Sequence, residues 1–163
     1  GVGNSAPKTA LDVVHDYHNV TFENQLASAG DGGGHVIKYN RGSNPTLTLG
    51  QLHYLNTSGV WTQTDADGVA NGGTQLLGIA MGTNPQSNGI LLHGFVRVPQ
   101  AEILNVPTNV DGLPVYVGTE AGHIDFTAPS GAGDFVRIVG HAVDKDSNDV
   151  LIWFCPSPNH VEL

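Results

Sequence analysis

Three histidines in the first quarter of the chain are residues whose type and spacing could bind a metal ion. His15 and His18 are three apart, which would place them on one face of a helix, and His35 follows later. Imidazole nitrogens are common zinc and copper ligands. No cysteine or carboxylate pattern accompanies them, and the other histidines are scattered. We expect no metal site; a symmetry axis at which one histidine per subunit converges is the alternative.

The segment "DKDSNDVLIWFC", residues 144–155, begins like a calcium-binding loop. Asp144, Asp146 and Asn148 alternate as the first three ligands of such a loop would. The sixth position is Asp149, where the loop needs glycine, and the twelfth is Cys155, where a bidentate glutamate should stand. We interpret the segment as a hairpin turn.

The glycine-rich segment "GDGGGH", residues 30–35, resembles a phosphate-binding loop only in its glycines. It lacks the Lys-Ser/Thr pair and the following helix that would bring a cation and backbone N–H groups to a phosphate. Since glycine is most often used for its backbone freedom, we expect a flexible joint.

Two further groups could serve acid, base or nucleophilic catalysis. Asp65 and Asp67 would point the same way in an extended segment, as paired carboxylates can in glycoside hydrolases. Their run is rich in turn formers, however, so a turn is expected. Ser130 in "APSGAGD" lacks the flanking glycines of a nucleophile elbow. We therefore expect no enzymatic activity and no cofactor.

The composition narrows the classes of partner. Six Lys and Arg stand against fifteen Asp and Glu in 163 residues, a net charge of −9 that argues against nucleic acid as a partner. No apolar run is long enough to span a bilayer and no signal-peptide pattern opens the chain, so we expect no membrane association. Cys155 is the one cysteine. It excludes an internal disulfide, and we expect it to be a small buried side chain.

The chain divides into two regions of different character. Residues 1–46 are loose, mixed and glycine-rich, and we interpret them as an extended N-terminal arm with short strands or a helix. Residues 47–163 show short β-type runs separated by turn formers roughly every eight to twelve residues, which is typical of a sandwich or barrel. The predicted fold is mainly β: an arm followed by a small β-barrel or sandwich, β-tulip-like in outline.

The second region repeats itself. Gly50 and Gly78 are separated by the same 28 residues as Gly112 and Gly140, and each pair encloses a tyrosine and a further glycine. The similar units are residues 50–98 and 112–158. A unit of this size cannot bury its apolar face alone, so we expect the two to close on each other as one body.

Several quoted segments carry a resemblance to a known family. The order "LTLGQLHYLNTSGVWTQTDA", "LLGIAM" and "GILLHGFVRV" resembles the lambda-type head decoration, or cement, proteins of tailed bacteriophages. The segments "GLPVYVGTEAGHIDFTAPSGAGDFVRIVGHAV" and "DVLIWFCPSPNHVEL" also resemble a recurrent ending of phage virion proteins, including fibre and spike components. The resemblance covers residues 47–163.

This resemblance implies a homotrimer that binds the major capsid protein and stabilises the outer capsid surface of the virion, after synthesis in the host cytoplasm. The arm would reach a neighbouring subunit or add a strand to the capsid protein. Trp61 would anchor a strand, beside a protruding polar loop. The expected interface residues are Leu11, Val13, Val14, Tyr17 and Phe22. The alternative is a fibre or spike module whose loops "DADGVANGG" and "TNPQSNG" bind a receptor or glycan.

Overall fold

The computed structural model describes residues 26–163, which form twelve β-strands and two short 3-10 helices. The helices are Val69–Asn71 and Gln100–Glu102. The strands are β1 (Gly32–Ile37), β2 (Leu52–Leu55), β3 (Trp61–Gln63), β4 (Leu77–Ala80), β5 (Ile90–Pro99), β6 (Ile103–Leu104), β7 (Pro114–Val117), β8 (Ile124–Asp125), β9 (Phe135–Val136), β10 (Ile138–Lys145), β11 (Asp149–Phe154) and β12 (Val161–Glu162).

Ten of the twelve strands form one large curled sheet with the shape of a half-barrel. Nine strands follow one path, in the order β3-β2-β4-β5-β11-β10-β7-β8-β6, and β1 joins by pairing with β5. All pairs in this sheet are antiparallel except β6 with β8. β9 and β12 form a separate two-stranded sheet. The predicted mainly β, barrel-like fold is confirmed.

The two similar halves are also confirmed. The order β3-β2-β4-β5 in the first half is matched by β8-β7-β10-β11 in the second, and the halves join where β5 pairs with β11. Equivalent turns use equivalent glycines: Gly50 and Gly112 have φ of 86° and 74°, and Gly59 and Gly122 have φ of 78° and 81°. Residues other than glycine rarely adopt these backbone angles. The repeated glycines therefore mark repeated turns.

The predicted arm contributes a strand to this body. β1 pairs with β5 over six residues, from Gly32 opposite Val96 to Ile37 opposite Ile90. The expectation of a flexible joint at residues 30–35 was wrong. Gly34 and Gly94 face each other with φ of 147° and 142°, and a Cβ on either would overlap the opposite backbone. These glycines therefore allow two strands to approach closely.

The inward side of the sheet holds two apolar clusters. The larger contains Val96, Val139, Ile152 and other aliphatic side chains from both halves, with Phe135 and Phe154. The smaller consists of Leu47, Trp61, Ala80 and Ile90. Each large buried side chain contributes roughly 1.5–3 kcal/mol relative to an exposed one.

Trp61 is an anchor, as the sequence predicts. It is 2% exposed, and its indole Nε1–H donates to the carbonyl of Tyr39 at 2.7 Å. Its backbone N–H donates to the side chain of Asn40. The ring thus joins the segment after β1 to β3.

Candidate functional site

The outward side of the sheet carries aromatic and apolar side chains around the junction of the two halves, on β1, β5, β11, β10 and β7. Side chains alternate along a strand, so while Val96, Ile152 and Ala142 point into the core, their neighbours point away from it. Cross-strand pairs continue this outward row: His35 with His93, Phe95 with Trp153, Trp153 with His141, and Tyr116 with Ile138. We call this surface the outer face, made up of His35, His93, Phe95, Tyr116, Ile138, His141, Val143 and Trp153.

Its rings are in direct contact. The ring of Trp153 lies 4.6 Å from that of Phe95 and 4.6 Å from that of His93, the latter edge to face, and His93 lies 5.7 Å from His35. Such aromatic pairs contribute about 0.5–1.5 kcal/mol beyond the area that they bury. The rings therefore form a preorganised surface.

A shallow groove runs beside these rings. It measures about 520 Å³ and is lined by Phe95, Gly112, His141, Ala142, Val143 and Trp153. The lining is mostly apolar, with the imidazole of His141 as its titratable group. The groove has the chemistry to accept an apolar or aromatic group.

Arg97 lies at one end of the outer face. Its guanidinium is 2.5 Å from the carboxylate of Asp144 and 3.2 Å from that of Asp146. The backbone N–H groups of Asn148 and Asp149, with Arg97 adding a smaller effect, hold the pKa of Asp146 below its ordinary value. Burial raises the pKa of Asp149. Residues 144–149 therefore form a hydrogen-bonded hairpin turn, as the sequence predicts.

A second, polar cavity lies in the first half. It measures about 220 Å³ and is lined by Pro45, Thr46, Leu47, Thr48, Gln51, His53, Trp61 and Gln63. His53 is 2% exposed, and its Nδ1 is 3.1 Å from the carbonyl of Gln51. Burial lowers the pKa of His53 to about 4. The imidazole is therefore neutral at pH 7, with Nδ1 donating and Nε2 left as the acceptor.

Side-chain amides connect this cavity to the second half. Gln63 donates to Gln51 at 2.7 Å, Gln51 donates to Glu102 at 2.8 Å, and Glu102 lies 3.8 Å from the imidazole of His123. These contacts fix the cavity wall.

Arg137 holds two loops in place. Its Nη1 donates to the carbonyls of Gly72, Gly73 and Gln75 at 2.7–3.1 Å, and its Nε donates to the carbonyl of Ser157 at 2.8 Å. Burial lowers the pKa of its guanidinium. The guanidinium therefore supplies hydrogen bonds to backbone carbonyls of two segments, the polar loop after β3 and the C-terminal segment that contains Ser157.

The described part of the chain contains the candidate catalytic groups Asp65, Asp67 and Ser130 and the candidate metal ligand His35. Within residues 26–163 no three His, Cys, Asp or Glu side chains could jointly hold a metal ion. Asp65 accepts the backbone N–H of Asp67, which is the predicted turn, and Asp65 raises the pKa of Asp67. Ser130 is exposed in a loop.

The structure corrects the expectation for Cys155, and it does not describe the predicted interface residues. Cys155 is exposed rather than buried, because Phe154 takes the inward position and alternation turns the next side chain outward. The predicted interface residues Leu11, Val13, Val14, Tyr17 and Phe22, with His15 and His18, lie outside the described residues. No helix in residues 26–163 is long and apolar enough to cross a membrane.

Sequence reasoning missed Phe95, Arg97 and Arg137. The available signal was the alternation of "HGFVRV", in which His93, Phe95 and Arg97 share one side of a strand. Arg137 gave no such signal, because its partners are backbone carbonyls distant in the chain.

Comparison with protein-family models, with curated proteins and with solved structures found no match for this chain.

Proposed function

We propose that this chain is a virion structural protein that decorates and stabilises the outer surface of a bacteriophage capsid, binding the major capsid protein as a homotrimer. Two considerations support the proposal: the resemblance over residues 47–163 and the chemistry of the outer face. The observation that carries it is the apolar part of that face nearest β7 and β10.

This part of the face has the character of a protein interface. Ile138 and Val143 are 37% and 43% exposed on β10, and Val143 lines the aromatic groove. Contiguous exposed apolar side chains mark interaction sites in soluble proteins, and aromatic residues are enriched at interface centres. Because these side chains project from a sheet, binding a partner through them would not require the loss of conformational entropy that ordering a loop does.

The N-terminal arm supplies the second part of the proposed contact. We expect the arm to order against the capsid protein and to add backbone hydrogen bonds by strand addition, with contacts from Leu11, Val13, Val14, Tyr17 and Phe22. Repeated around a local symmetry axis, these contacts would join neighbouring capsid subunits and so reinforce the shell against the pressure of packaged DNA.

The test is co-sedimentation with capsids that lack the decoration protein. Ile138→Asp and Val143→Asp should each abolish binding, because a charge would be buried against an apolar partner surface. Leu76→Asp is the matched control: Leu76 is 48% exposed but precedes β4 in the other half. Unchanged binding by both β10 variants would overturn the outer-face contact.

A second candidate, a fibre or spike module that binds a glycan, is favoured by the polar cavity of the first half. Its volume fits a small hydroxylated molecule, and the neutral His53 offers Nε2 as a hydroxyl acceptor beside Thr46, Thr48 and Gln63. Glycan binding by the isolated protein that is lost in Thr46→Val and Thr48→Val would support this candidate. No binding across a glycan panel would reject it.

A further inference from the structure

The two halves of the body share a turn and the strand that follows it. Equivalent backbone hydrogen bonds close the turn in each half: Gly50 to Ala80 and Gln51 to Thr48, then Gly112 to Ala142 and Leu113 to Val110. The strands keep the same register, with His53 opposite Gly78 in one half and Val115 opposite Gly140 in the other. Positions 48, 51 and 53 are therefore equivalent to positions 110, 113 and 115.

The side chains at these equivalent positions differ in polarity. Thr48, Gln51 and His53 line the polar cavity of the first half, whereas their counterparts are all apolar: Val110, Leu113 and Val115. Val110 and Val115 are 1% and 0% exposed in the larger apolar cluster. The second half therefore shows that this turn and strand form with aliphatic side chains at these positions. The backbone does not require the polar side chains of the first half.

His53 has an unused hydrogen-bonding atom inside the cavity. The side chain is 2% exposed, and its Nδ1 donates to the carbonyl of Gln51 at 3.1 Å. The other ring nitrogen, Nε2, accepts no hydrogen bond from residues 26–163. Every fully buried side-chain nitrogen or oxygen in that part of the chain has a partner, so Nε2 opens onto the cavity that His53 lines. An acceptor in this setting is matched by a donor from outside the chain.

The other groups around the cavity define which donor fits. The hydroxyls of Thr46 and Thr48 lie at its exposed rim, and each can both donate and accept. The indole N–H of Trp61 is already bonded to the carbonyl of Tyr39, so Trp61 offers the cavity an apolar wall. The described residues that line the cavity include no Lys, Arg, Asp or Glu. A neutral molecule with several hydroxyl groups and an apolar face, such as a sugar ring, matches this lining.

The cavity is shaped before a ligand binds. The N–H of Leu47 donates to the carbonyl of Thr83, which fixes the rim. Gln63 donates to Gln51 at 2.7 Å and Gln51 donates to the carboxylate of Glu102 at 2.8 Å, which fixes the wall. This carboxylate disfavours an anionic ligand. The volume of about 220 Å³ suits one monosaccharide unit, since sites for drug-sized ligands measure roughly 300–1,000 Å³.

We propose that the first half is the ligand-binding copy of the repeated unit, and that its cavity binds one neutral sugar unit. A sugar hydroxyl donates to Nε2 of His53, and the apolar face of the sugar ring lies against Trp61. The inference rests on the polar cavity of the second candidate function and names the ligand of that cavity. It holds for a capsid decoration protein and for a fibre module alike.

An NMR titration of the full chain tests the class of ligand. The probes are glucose, galactose, mannose and N-acetylglucosamine as neutral sugars, with glucuronate and N-acetylneuraminate as anionic ones. At least one neutral sugar should shift the indole N–H signal of Trp61 and the backbone signals of residues 45–53 saturably at millimolar concentration. The anionic sugars should not. The absence of a saturable shift with every neutral sugar, or tighter binding of an anionic one, would overturn the proposal.

Variants that carry the residue of the other half test the site. His53→Val removes the acceptor and should weaken sugar binding by about tenfold or more, and Thr48→Val should weaken it severalfold. Thr57→Val is the matched control and should bind as the wild type does, because Thr57 is exposed outside the cavity. If His53→Val does not fold, Thr48→Val at the exposed rim decides the question. Sugar binding that neither variant weakens would contradict the proposed site.

These outcomes separate the inference from the proposed functions. The titration uses the isolated protein, so loss of capsid co-sedimentation in the β10 variants has no bearing on it. Sugar binding that His53→Val and Thr48→Val leave intact would reject this site and retain a fibre module that binds glycans through other residues. Binding of a neutral monosaccharide by a protein that labels the whole capsid head would support the cavity site and reject the fibre module.

Discussion

Gly78 and Gly140 occupy equivalent positions in the two halves, and each lies against the neighbouring strand. A Cβ on Gly78 of β4 would overlap Cγ2 of Ile90 on β5, and a Cβ on Gly140 of β10 would overlap the carbonyl of Trp153 on β11. Both positions therefore leave no room for a Cβ, Gly78 because of a side chain on β5 and Gly140 because of the backbone of β11.

Alanine at either position should destabilise the protein by a similar amount. We expect Gly78→Ala and Gly140→Ala each to lower the free energy of unfolding by about 2 kcal/mol through overpacking. Gly68→Ala is the control, because a Cβ at Gly68 would lie 3.6 Å from the side chain of Asn71, which is an ordinary contact distance. Urea denaturation measures all three; a loss at only one of the two paired sites would contradict their equivalence.

Removing the Arg137 side chain should destabilise the fold by about 3 kcal/mol, since buried carbonyls would lose charge-assisted hydrogen bonds. Arg137→Met retains much of the apolar packing and tests the polar contacts. Hydrogen exchange should accelerate in residues 72–75 and near Ser157 together. Acceleration confined to one of these segments would show that Arg137 does not join them.

His53 makes stability depend on pH. Its pKa is lowered from 6.5 to about 4 by burial, so the unfolded chain binds more protons between these values. The stabilisation is complete above pH 6.5 and is lost as pH falls towards 4, by about 3 kcal/mol for a shift of this size. His53→Gln, which cannot titrate, should reduce the difference in unfolding free energy between pH 7 and pH 4 by that amount. An unchanged difference would show that His53 is not buried as neutral imidazole.

Cys155 should react with a thiol reagent in the folded protein, because its side chain is exposed at the end of β11. Stoichiometric labelling without denaturant is expected. Labelling that requires urea would instead support the buried position that the sequence suggested.

Much of the fold was predictable because it rests on local patterns. Turn glycines at Gly50, Gly59, Gly112 and Gly122 have positive φ that few other residues adopt, so their spacing revealed the two halves. The integration of β1 was not predictable, because the glycines of "GDGGGH" suit both a flexible joint and a close strand approach. Their partner, Gly94, is distant in the sequence.

The candidate site was less predictable than the fold. Alternation places Phe95 and Trp153 on outward positions, but their contact depends on the register between β5 and β11, which joins the two halves. Arg137 similarly acts on loops more than sixty residues away. Such long-range pairings leave no periodic pattern in the chain.

Antibody labelling of intact virions, viewed by electron microscopy, tests the proposed function most directly. The antibody is raised against the β body, residues 47–163, and capsids without the protein are the control. Label distributed over the whole outer surface of the head is the predicted result. Label confined to the tail tip would contradict capsid decoration and favour the fibre module, and the absence of label from every particle would contradict both.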